Sequence, residues 1–132
     1  MKRFKYYQPN KKDLNDNYGD CTIRALCKAF DIGWVEAFKL TIPYCIEYQV
    51  SNIFHPPIKI RREIMEKLGS SYTGISVKRG RKRPTVDSFT REHKTGTYIL
   101  NVANHEVTVV DGIYYDTWDS GHCCVYGYFT KK

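Results

Sequence analysis

The stretch His105-Glu106-Val107-Thr108-Val109-Val110-Asp111-Gly112-Ile113-Tyr114-Tyr115-Asp116-Thr117-Trp118 decides how this chain folds. Two runs rich in β-branched and aromatic residues flank Asp-Gly, the strongest short-range signal for a two-residue hairpin loop. Such a loop sets the register: Val110 faces Ile113, Val109 faces Tyr114, Val107 faces Asp116 and His105 faces Trp118. Strand alternation puts these side chains, the Val110–Ile113 pair apart, on one face, with His105 and Asp116 as diagonal neighbours. A carboxylate in that position can hold an imidazole in one tautomer and favour its charged form, and Trp118 would cover the pair from water. A three-residue loop would instead bring Asp119 opposite His105.

The segments 97–103 and 123–129 are also β-like, so an antiparallel sheet is expected over 97–129. Everything upstream reads differently. Gly19-Asp20-Cys21 opens a helix, with Asp20 as the N-cap candidate and Cys21 as the first helical residue. Ile23, Leu26, Cys27 and Phe30 recur at helical spacing as a core stripe, and Gly33 closes the element. A second helix is expected from Trp34 to about Val50, broken or kinked at Pro43. A third covers 58–68 and stops at Gly69, and a fourth covers 85–93. Between the last two lie a short strand around Ile75 and Val77 and a basic loop. Residues 1–19, polar and rich in Lys, Asn and Tyr, read as an irregular arm. The expected architecture is a single α+β domain over 1–132, helices first and sheet second.

Composition agrees with a folded domain. The 132 residues are 42% hydrophobic and 27% charged, which excludes a disordered chain. No apolar run approaches the ~20 residues of a spanning helix. The opening Met1-Lys2-Arg3-Phe4 lacks the apolar stretch of a secretory signal, so a cytoplasmic location with no membrane association is expected. The net charge is +7. It is uneven: residues 101–132 hold four acids against Lys131 and Lys132, a net of −2, leaving +9 on the rest. Lys78, Arg79, Arg81, Lys82 and Arg83 crowd into one run, a candidate surface for an acidic partner or nucleic acid.

Five cysteines, an odd number without a C-x-x-C pair, argue against a disulfide framework and against structural zinc. No metal and no cofactor are expected. The question becomes whether one thiol is reactive. Cys27 lies on the apolar stripe and reads as an inert core thiol. Cys21 lies nearly opposite that stripe, at a helix start, where unpaired N–H groups and the helix dipole favour a thiolate. Ala25 shares its side and would let the helix approach a sheet closely. If that sheet is the His105 hairpin, Cys21 meets His105. His55-Pro56-Pro57 reads as a loop-shaping element, and His122-Cys123-Cys124 as separated by strand alternation.

Three features together resemble the papain-like cysteine peptidases, in particular compact members of phage or bacterial type. They are a cysteine opening a helix after the polar loop Asn15-Asp16-Asn17-Tyr18-Gly19-Asp20, a histidine starting a downstream strand (His105), and Asp116-Thr117-Trp118 in place of an Asn-Ser-Trp tripeptide. The resemblance covers residues 15–27 and 97–119. It implies a papain-like fold with Cys21 as nucleophile, His105 as general base, Asp116 as the group orienting it and Trp118 as a shield. The family's oxyanion-hole glutamine falls at Asn15, with Asn17 closer to the cysteine, and the Cys21 backbone N–H would be a second donor. It also implies selective alkylation of Cys21, still appreciable near pH 6.

Three functions follow from these residues. The first is cleavage of a peptide or isopeptide bond in a protein or peptide substrate through a thioester, with deamidation and acyl transfer as variants. The second is a basic module binding nucleic acid or an acidic protein through 78–83. The third is an inactive papain-like interaction domain.

Overall fold

A computed structural model describes residues 3–12 and 19–132. In chain order its elements are β1 (Phe4–Tyr6), α1 (Cys21–Phe30), α2 (Trp34–Tyr48), α3 (Ile58–Lys67), β2 (Ser70–Gly74), α4 (Val86–Glu92), β3 (Thr97–Val102), β4 (His105–Val110), β5 (Ile113–Asp116) and β6 (Val125–Lys131). Among the described residues this is an α+β fold of four helices and one mixed sheet ordered β1-β5-β4-β3-β6-β2.

The hairpin forms as its residues dictate. Asp111 and Gly112 both take positive φ, 48° and 80°, the combination a two-residue type I′ loop needs. Val110 pairs with Ile113, Val109 with Tyr114 and Thr108 with Tyr115. A second tight turn precedes it. Val102 pairs with His105, and Asn104 between them takes φ 53°, a left-handed conformation that Asn tolerates better than most residues. That turn makes His105 the first residue of β4.

The sheet departs from expectation at both ends. The supposed irregular arm contributes β1, which lies parallel to β5 in the register Phe4–Tyr114 and Tyr6–Asp116. The sheet is therefore mixed rather than antiparallel, and it extends beyond 97–129. β1 was obscure in sequence because three residues in a Lys- and Tyr-rich segment carry no alternation to read. Its role is positional: the Tyr7 backbone N–H donates to the Asp116 carbonyl at 2.8 Å and pins the end of β5. At the other edge, β2 precedes the expected Ile75–Val77 segment and pairs antiparallel with β6. β6 begins two residues later than expected, because the chain through Cys123 is still turning: the Cys123 N–H bonds the Ser120 carbonyl at 3.0 Å.

Strand alternation builds two cores. Ile99 and Phe129 pack with α1, α2 and α3 on one face, through Ile23, Leu26, Ala37, Ile60 and Met65. Leu100, Val102, Val107, Val109 and Val125 pack with Val86 and Phe89 of α4 on the other. α2 runs through Pro43 without ending, although proline has no N–H to offer the preceding turn. No helix among the described residues is long and apolar enough to cross a membrane.

Candidate active site

The small Ala25 side chain permits the close approach of α1 to the sheet. The Thr108 hydroxyl donates to the Ala25 carbonyl at 3.0 Å, and the Thr22 hydroxyl donates to Glu106 Oε1 at 2.8 Å. These two bonds lay the first turn of α1 over the start of β4. Cys21, buried at 3% exposure, is the first residue of that turn. Asp20 holds the N-cap position but makes no capping bond. Its carboxylate binds the Arg24 guanidinium and accepts from Trp34 Nε1 at 2.9 Å, tying the starts of α1 and α2 together.

His105, Asp116 and Trp118 come together as the register implies. His105 Nε2 donates to Asp116 Oδ2 at 2.6 Å. The Asp116 carboxylate, 2% exposed, also accepts from the Ser120 hydroxyl at 2.7 Å, the Thr117 N–H at 2.8 Å and Arg24 at 3.4 Å. With every surrounding group donating to it, the carboxylate orients the imidazole through Nε2. The Trp118 ring lies 5.1 Å from the His105 ring, centroid to centroid, and leaves His105 9% exposed. The alternative acid Asp119 is engaged elsewhere, accepting from the Tyr114 hydroxyl and the Gly121 N–H. Asn15 and Asn17, the candidate oxyanion amides, lie outside the described residues.

Cys21 makes no hydrogen bond to His105. Its sulfur lies 3.2 Å from Nδ1 of His55, and the same nitrogen is 3.1 Å from the Thr22 hydroxyl. The Glu106 backbone N–H also faces the sulfur, one residue along the strand from His105. His55 is thus no mere loop shaper. A histidine before two prolines carries no sequence signal for this role; only the fold brings the loop to the helix start. Sequence reading also missed Glu106 and Arg61. Glu106, 2% exposed, has Arg61 3.0 Å from Oε2, off the hydrogen-bond direction, so the contact is ionic in character. Arg61 donates as well to Asn101 Oδ1 at 3.0 Å and to the Pro56 carbonyl at 2.7 Å.

The electrostatics correct one expectation. Burial pushes the Cys21 thiol up to about 12, and the Glu106 charge adds to this against the opposing Glu106 N–H, Arg24 and Arg61. Burial pulls His55 from 6.5 down to about 4, reinforced by the positive charge of Arg61. Burial raises the Glu106 carboxyl, with Arg61 and Thr22 acting against it. The resting protein therefore carries a neutral thiol beside a neutral imidazole. The helix dipole, worth ~0.3–1 kcal/mol, is too weak to offset burial. A limiting dose of iodoacetamide near pH 7 is expected to modify exposed Cys124 about tenfold or more faster than Cys21, because the thiolate is the nucleophile. Peptide mapping checks this; labelling that begins at Cys21 and persists near pH 6 would mean a preformed thiolate.

The basic run divides in two. Lys78, Arg79, Arg81 and Lys82 are exposed. Arg83 donates to the Ile75 carbonyl at 2.9 Å and lies over the Tyr126 ring at 4.3 Å, so it is structural. Comparison with protein-family models, curated proteins and solved structures gives no match, and the chemistry is read from the site itself.

Proposed function

We propose that this protein is a papain-like cysteine hydrolase that cleaves a peptide or isopeptide bond through Cys21, His105 and Asp116. The observation that carries this reading is the buried 2.6 Å bond from His105 Nε2 to Asp116. It leaves Nδ1 of His105 as an open lone pair, without a hydrogen-bond partner among the described residues, at the end of the sheet where the Cys21 helix begins. A base presented in one tautomer beside a thiol is the minimum that nucleophilic catalysis requires.

In the proposed reaction the Cys21 sulfur attacks the substrate carbonyl carbon while the thiol proton passes to Nδ1 of His105. The resulting imidazolium is held by Asp116. The C–N bond breaks as His105 returns the proton to the leaving amine, and a thioester remains on Cys21. Water then attacks the thioester, giving its proton to His105, and the acid leaves with the thiol restored. Because the resting thiol is neutral, proton removal and attack are concerted with substrate binding. The four exposed cations of the basic run suit an acidic stretch of the substrate or a polyanion, and supply no chemistry of their own.

p-Nitrophenyl acetate tests the acyl step without knowledge of the natural substrate. In a Cys124→Ser background, mass spectrometry is expected to find acetyl on Cys21, lost by hydrolysis as p-nitrophenol release continues past one equivalent. Cys21 remaining free of acetyl would remove the hydrolytic reading.

A further inference from the structure

We propose that His55 is a hydrogen-bond donor to the reacting centre, its Nδ1–H directed at the Cys21 sulfur and at the oxygen of an acyl group bound there. The proposal rests on the acyl-transfer reading above and adds a catalytic residue to it.

The tautomer follows from counting protons. Nδ1 of His55 lies 3.1 Å from the Thr22 hydroxyl and 3.2 Å from the Cys21 sulfur. Thr22 has one hydroxyl proton, and it is donated to Glu106 Oε1 at 2.8 Å. Only lone pairs of Thr22 remain to face His55, so Nδ1 must bring the proton. His105 is the reverse: its Nε2 faces the Asp116 carboxylate, so the proton sits there and Nδ1 is the lone pair. Two imidazoles flank the helix start with opposite nitrogens engaged, one suited to accept a proton and one to donate a hydrogen bond.

The donor is built in place. The His55 backbone N–H donates to Asn52 Oδ1 at 3.2 Å. The carbonyl of the next residue, Pro56, accepts from Arg61, and Arg61 in turn pairs with the Glu106 that fixes the Thr22 proton. His55 also lines an open cleft of about 540 Å³ with Gln49, Asn52, Pro56 and Asn104, so one ring borders both the cleft and the buried Cys21 sulfur. A carbonyl carbon bonded to sulfur carries its oxygen to roughly 3 Å from that sulfur, within reach of a donor already in contact with it. Burial and the Arg61 charge keep the ring neutral, so it gives a hydrogen bond without becoming a competing acid.

Two measurements test this. Long-range ¹H–¹⁵N correlation of the free protein at neutral pH is expected to show the Nδ1–H tautomer at His55 and Nε2–H at His105. The acetylation of Cys21 by p-nitrophenyl acetate supplies the second: sulfur bonds to the acetyl carbon, the ester C–O bond breaks, p-nitrophenolate leaves and the thiol proton goes to His105. His55→Ala is expected to slow this step by about 10²–10³-fold, the usual effect of losing one oxyanion donor. His55→Asn puts an amide N–H near the same position and cannot act as a base, and is expected to stay within about tenfold of the wild type. An Nε2–H tautomer at His55, full activity in His55→Ala, or equal loss in Ala and Asn variants that both remain folded overturns the donor role and leaves the hydrolytic reading standing. Absence of Cys21 acetylation in the wild type overturns both.

Discussion

Replacing His105 by alanine is expected to slow acetylation of Cys21 by about 10²–10⁴-fold, the range for losing a positioned general base. The large effect follows from the neutral resting thiol. A thiol held up to about 12 offers almost no thiolate at neutral pH, so attack on a carbonyl depends on a base that takes the proton as the bond forms. In the proposed reaction that base is Nδ1 of His105, whose Nε2 is committed to Asp116. His105→Ala is a cleaner probe than a change at Asp116, whose carboxylate also holds Arg24, Ser120 and Thr117 and whose loss would disturb the end of β5. Stopped-flow release of p-nitrophenol measures the rate, and far-UV circular dichroism verifies the fold. A rate within threefold of the wild type, by rough allowance for altered packing, would sink the assignment of His105 as base.

Replacing Arg61 by leucine is expected to destabilise the protein by about 3–5 kcal/mol, the cost of leaving a buried charge without its partner. Glu106 is 2% exposed, and the Thr22 hydroxyl alone cannot compensate a carboxylate there. The same change frees the Asn101 amide and the Pro56 carbonyl, loosening the loop that presents His55. Urea unfolding measures the loss. The double variant Arg61→Leu with Glu106→Leu is expected to recover most of it, since apolar replacement of both members of a buried pair is often close to neutral. A single variant costing under about 1 kcal/mol would mean that water or another group compensates Glu106, and the account of the buried network would have to be given up.

The hairpin shows how much of the site was legible beforehand. Asp-Gly sets the turn, the turn sets the register, and the register brings His105 and Asp116 together; each step is local and needs only neighbouring residues. The start of α1 at Cys21 was legible for the same reason, since a polar loop gives way there to helical periodicity. β1 was not, because three residues carry no period and its pairing with β5 spans most of the chain. His55 was hidden more deeply. Its loop composition points to a bend, and its chemistry arises only when Arg61 of α3 reaches across to β3 and β4 and draws the loop against Thr22. The thiol's protonation was misjudged because a helix N-terminus is visible in sequence while burial is not.

By itself, then, the order of residues established an α+β domain with a cysteine at a helix start, and a histidine and a carboxylate facing each other across a strand pair. These are consequences of short-range periodicity and turn stereochemistry. Tertiary packing alone decided which imidazole touches the sulfur, that a buried carboxylate and guanidinium stand behind it, and that the thiol rests neutral. Desolvation and long-range contact depend on what the folded chain excludes from water, and no stretch of sequence carries that information locally.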